Sequence, residues 1–199
     1  MNKLIQGIGF NDKKYPAYIG GRATREYTTW HNMLSRYTNT LWVKRDSYTG
    51  TTCSENFKSY SFFYEWCQHQ QGFRGLDEQG KSWHLDKDLL IKGNKVYSED
   101  TCVFVPSRVN ILLNKHSAGR GDSLIGVCLC KKSNKYHARC SVGTTGQKHL
   151  GLFVSQEEAF NVYKTFKEQF IKSVADEYKN LIDERAYKAL IKYEVCVDD

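Results

Sequence analysis

Apolar and polar positions alternate along the chain in blocks that change period. Between Thr24 and Tyr37, Trp30, Met33, Leu34 and Tyr37 fall on one stripe, which predicts a helix. A second helix is expected over Glu55–Gln70, with Phe57, Phe62, Phe63, Trp66 and Cys67 facing a core. Met1–Gly21 reads as one edge strand plus loop, and Leu41–Thr52 as a polar, turn-rich connection. After the Gly-rich loop Gln71–Lys81, Trp83–Leu90 reads as a strand and Gly93-Asn94-Lys95 as a turn. Cys102–Val105 reads as a second strand, and Ser107, following Pro106, caps a short helix over Val109–Leu113. Strand, loop, strand and helix in so few residues make a ββα unit.

Beyond the Gly-rich, basic stretch Lys115–Asp122, the pattern changes to period two. Three short strands are expected within Ile125–Phe153. In the middle one, Tyr136, Ala138 and Cys140 alternate with Lys135, His137, Arg139 and Ser141. One set packs inward and the other faces solvent or a ligand. A long helix follows from about Ser155 to Leu181, with Ala159, Tyr163, Phe166, Phe170 and Val174 at core spacing. A last helix, about Asp183–Tyr193, packs through Tyr187, Leu190 and Ile191.

Composition narrows the class. The 199 residues are 40% hydrophobic and 14% aromatic, enough for one large or two small cores. Twenty-nine Lys and Arg against 22 Asp and Glu leave a net charge of +7, which favours a polyanionic partner and says nothing about fold. No secretory signal or membrane span is expected, which points to the cytoplasm. Seven cysteines without a C-x-x-C pair disfavour a zinc ribbon or a disulfide framework, and read as reduced, packed thiols. Patterns of the G-x-S-x-G, P-loop and H-E-x-x-H types are absent.

Trp30-x-x-Met33-Leu34-x-Arg36-Tyr37, Phe62-x-x-x-Trp66, Leu85-Asp86-Lys87-Asp88-Leu89-Leu90, Lys92-Gly93-Asn94-Lys95-x-Tyr97-Ser98 and Thr101-Cys102-Val103-Phe104-Val105-Pro106 together resemble phage HNH homing endonucleases, over about residues 20–115. The resemblance implies a ββα-metal core that hydrolyses a phosphodiester with magnesium or manganese. It implies that Asp86 and Asn110 are the metal ligands. Where the family carries its general-base histidine, this chain has Lys87, flanked by Asp86 and Asp88. Lysine is a poor base near neutrality, and flanking carboxylates make it poorer. His84, two residues before Asp86 on the same strand face, is the candidate for a substitute base, and a half-exposed strand histidine is the commoner reading of it. Two readings stand: a nuclease using an unusual base, or a fold that keeps its shape and has lost cleavage, with Lys87 contacting phosphate.

Gly126-Val127, Lys135-Tyr136-x-Ala138-x-Cys140, His149-Leu150-Gly151-x-Phe153 and Glu157-Glu158-Ala159-x-x-x-Tyr163 resemble the Apetala-type DNA-binding domain, which is similar to phage integrase arm-binding domains. This resemblance implies a three-stranded antiparallel sheet that enters the major groove. His137, Arg139, Ser141, Gln147 and His149 are then base readers, with Arg139 suited to guanine and Gln147 to adenine. Lys131, Lys132, Lys135 and Lys148 are phosphate contacts.

The expected fold class is α+β, with an HNH-like domain over 1–116, a linker over 117–124 and an Apetala-type domain over 125–199. The expected function is binding of double-stranded DNA, with metal-dependent nicking as one form of it. The alternatives are a cleavage-dead regulator, a protein-binding inhibitor of a host or rival enzyme, and an RNA binder.

Overall fold

The structure is a computed structural model. It describes residues 4–38, 48–113, 123–143 and 146–197. Most of the expected connection 41–52 and of the expected linker 117–124 lies outside them. The described chain is mixed α+β and divides into two compact units, Met1–Pro106 and Ser107–Asp199. Among the described residues, no helix is long and apolar enough to cross a membrane.

In the first unit, β1 (Tyr18–Ile19) and β2 (Arg22–Ala23) form a tight hairpin where one edge strand was expected. Gly20 and Gly21 both hold positive φ, as a primed turn demands. Helix α1 (Arg25–Tyr37) begins where Thr24 accepts the Tyr27 amide. Its stripe of Trp30, Met33 and Leu34 is fully buried. The expected second helix is shorter: a 3-10 turn at Asn56–Lys58 precedes α2 (Tyr60–Gln68), which is capped by Ser59. Phe57, Phe63, Trp66 and Cys67 face inward as expected, whereas Phe62 turns out to solvent. Trp30 donates its indole N–H to the Phe57 carbonyl at 2.8 Å, which joins the two helices through a buried polar group. Strand β3 (Thr52–Cys53) runs parallel to β5 (Val96–Tyr97). Strand β4 (His84–Asp86) pairs antiparallel with β6 (Val103–Val105), whose three residues are all buried.

The division between the units falls after Pro106. Helix α3 (Ser107–Leu112), the last part of the expected ββα unit, therefore belongs to the second unit, and β4 and β6 to the first.

The second unit carries the sheet order β7-β8-β9, antiparallel throughout: Val127–Cys130, Lys135–Ser141 and Gln147–Phe153. Helix α4 (Gln156–Glu177) covers one face, starting with a capping box between Ser155 and Glu158. Val127, Ala138, Cys140, Ala159, Phe160 and Tyr163 form the core between them. On α4, Phe166 and Phe170 are only partly covered, and Ile171 and Ala175 take the buried places further along. Helix α5 (Glu184–Ile191) buries Ala186 and Leu190 rather than Tyr187 and Ile191. The Glu168 carboxylate accepts the Val195 amide, and the Lys164 ammonium donates to the Val195 carbonyl, so one ion pair holds the chain beyond α5 against α4.

Candidate functional site

Two places carry the residues that the sequence singled out. The first is the end of β4. The strand stops at Asp86 because its Oδ1 accepts the amides of Asp88 at 2.9 Å and Leu89 at 2.7 Å. Those bonds curl the chain into a turn, which is why the strand is shorter than Trp83–Leu90. Burial, and then the neighbouring Asp88 charge, push the Asp86 carboxyl up to about 6.

Lys87 turns inward and is 6% exposed. Its ammonium lies 3.3 Å from Asp88 Oδ2 and 5.7 Å from the centre of the Tyr97 ring. A buried ammonium beside a carboxylate is a structural ion pair, not a surface contact for phosphate. The Asn94 side chain closes the same loop, donating to the Lys87 and Val96 carbonyls and accepting the Val96 amide. Arg36, itself largely enclosed, donates to the Tyr97 hydroxyl at 3.1 Å.

His84 is exposed on β4, and Asn110 sits on α3 in the other compact unit. Among the described residues, no group of three or more His, Cys, Asp or Glu side chains converges on one point. With one Asp86 oxygen taken by two amides and Asp88 paired with Lys87, the donor set here does not fit a hard divalent cation, which asks for six or more oxygens or retained waters.

The second place is the face of the three-stranded sheet turned away from α4. Register decides which side chains share it. Cys128 pairs with His137 and Cys130 with Lys135 on one side of β8. On the other side, His137 pairs with Leu152, Arg139 with His149 and Ser141 with Gln147. The pairing slips by one residue between Ala138 and Arg139, so Leu150 is an extra residue in β9. Without that bulge His149 would lie opposite Cys140, on the helix side. With it, Gln147 and His149 join Arg139 and Ser141 on the outer face, and Leu150 packs on the core. Gly151, at φ +140°, makes the step possible, and a Cβ there would meet the Phe153 ring at 2.8 Å.

The same slip places Lys148 opposite Cys140, with its ammonium 4.7 Å from the centre of the Phe166 ring. Lys148 therefore stands on the helix side, apart from the other expected contacts. Lys131 and Lys132 are exposed in the turn between β7 and β8, where Asn134 holds positive φ. Lys135 and Arg139 are exposed along β8. None of these four cations has a carboxylate partner among the described residues. His137 and His149 touch through Nε2 and Nδ1, their rings edge to face with centroids 4.3 Å apart. Partial burial, followed by the charges of His149 and Arg139, lowers the His137 pKa. At the tip, hydrogen bonds from Ser133 and from the Lys132 amide lower that of the Cys130 thiol.

One residue escaped the sequence reading. Lys167 follows Tyr163 by four positions on α4, within the stripe that runs through Phe166 and Phe170, and is partly buried. A cation on a core stripe was the signal for it.

No family model, curated protein or solved structure matches the chain.

Proposed function

We propose that the protein binds duplex DNA, laying the outer face of β7, β8 and β9 into the major groove. Three strands at about 4.8 Å spacing span about 10 Å, within the roughly 12 Å width of that groove. The observation that carries the proposal is the segregation of the sheet. One face is sealed on α4, and the other aligns Lys131, Lys132, Lys135 and Arg139 with Gln147 and His149. The lysines take phosphates and position the sheet. Gln147, His137 and His149 present side-chain hydrogen-bonding groups to base edges.

The turn at Asp86 is read as a structural device of the first unit. Its carboxylate shapes the loop, and Lys87 balances Asp88 there.

The test is fluorescence anisotropy with a labelled duplex across a salt series. Three to four phosphate contacts give a slope of log K against log salt of about −3 to −4. A flat salt response, or no binding in low salt, overturns the proposal. An aromatic protein-binding interface would give the flat response. Tighter binding to structured RNA than to the duplex would move the reading to RNA.

A further inference from the structure

Strand β7 is shorter than the strand it pairs with. Its last partner on this side is Val127 opposite Ala138, and the Arg139 amide makes one more bond, to the Gly126 carbonyl at 2.9 Å. From there Cys140 and Ser141 pair with β9 alone. Their other side is open, and strand alternation turns the Ser141 amide the same way as that of Arg139. The opening is a cavity of 170 Å³ bounded by α3 and α4, with Ile111 and Phe170 among its apolar walls.

Its polar lining is cationic. Arg108 is already balanced, its guanidinium 2.5 Å from the Glu177 carboxylate. Lys167 and Arg139 are not: neither side chain has a carboxylate or hydrogen-bond partner among the described residues. Burial holds the Lys167 pKa down, with only the Cys140 thiol near it to oppose that. A half-buried ammonium facing a cavity without a counter-charge is costly unless an anion fills the place. Ser141 and Gln147 add neutral donors to the lining. The volume is below the about 300–1,000 Å³ of pockets that enclose whole drug-sized ligands, so it takes a group rather than a nucleotide.

We propose that this cavity is an oxyanion site for a single phosphate group, held by Lys167 and Arg139 at the open edge of β8. The source of that phosphate, the backbone of bound DNA, rests on the function proposed above. In this site Arg139 is a phosphate ligand rather than a reader of guanine, and Lys167 contributes affinity without sequence preference.

The test compares the full chain with Lys167→Gln and Lys167→Arg in two assays. In the first, inorganic phosphate is titrated while thermal unfolding is followed. The wild-type chain and Lys167→Arg shift upward, and Lys167→Gln does not. In the second, duplex affinity is measured against salt. Lys167→Gln loses about tenfold at 0.1 M salt and its salt slope flattens by about one, uniformly across duplex sequences. Removing a partly buried charge does not endanger folding, so Lys167→Gln without phosphate melts at or above the wild-type temperature. Equal phosphate response in wild type and Lys167→Gln overturns the site. A Lys167-dependent phosphate shift without duplex binding keeps the site and removes the DNA reading. A Lys167-dependent phosphate shift with unchanged duplex affinity overturns the backbone as the source.

Discussion

Asp86 is both an acceptor for two amides and a carboxylate pressed against Asp88. An amide side chain keeps the first role and removes the second. Asp86→Asn is therefore expected to stabilise the protein at pH 7 by about 1–2 kcal/mol, part of what the rise of the carboxyl from 3.8 to about 6 is worth. The sign follows from a folded value near 6, above the ordinary 3.8. The folded protein binds the proton more tightly than the unfolded chain, so the penalty is complete above pH 6 and fades as pH falls from 6 towards 3.8. Chemical denaturation of both proteins at pH 7 and pH 4 checks this: the gap closes at the lower pH. Equal stability at pH 7 contradicts it. Along the chain, Asp86, Lys87 and Asp88 have the spacing of a catalytic strand. That spacing did not reveal that Asp86 ends the strand or that Lys87 points inward, because both depend on what packs around Tyr97 and β6.

Elements were legible wherever a long apolar stripe ran uninterrupted. The first helix and both C-terminal helices lie within two to four residues of their expected ends, with Thr24, Ser155 and Asp183 as caps. The three-stranded sheet and its helix-facing set of Tyr136, Ala138 and Cys140 were likewise readable from alternation. The bulge in β9 was not. Period two assigns faces only while register holds, and one added residue at Leu150 exchanged the faces of Lys148 and His149 relative to a regular strand. Gly126 shows how tightly this layer is built. It holds φ +75°, and a Cβ placed on it would lie 2.1 Å from the Tyr163 ring. Gly126→Ala combines left-handed backbone strain with overpacking, and is expected to cost about 3 kcal/mol. Thermal and urea unfolding measure it; a loss below about 1 kcal/mol would mean that β7 and α4 move apart easily.

At the scale of the molecule, the excess of cations is modest, and its arrangement matters more than its size. The net charge of +7 was visible in the sequence. That four of these cations stand beside one sheet face, without a carboxylate partner among the described residues, follows from the pairing of β7 with β8. The division at Pro106 assigns Asp86 and Asn110 to different compact units, which spacing along the chain had joined in one ββα motif. Length and pattern gave two bodies but not where α3 belongs, since a six-residue helix carries too little periodicity to show which core it serves.

The central claim is that the outer face of β7–β9 meets DNA, and two native cysteines report on it directly. Cys128 and Cys130 lie on that face beside His137 and Lys135, Cys130 with its thiolate favoured, while Cys196 is exposed elsewhere in the same unit. The measurement is the alkylation rate of each thiol by iodoacetamide, read by peptide mass, with and without a saturating duplex. Several-fold protection of Cys128 and Cys130, with Cys196 unchanged, is the predicted result. Equal rates at all three thiols while the duplex is bound would place the DNA on another surface and contradict the claim.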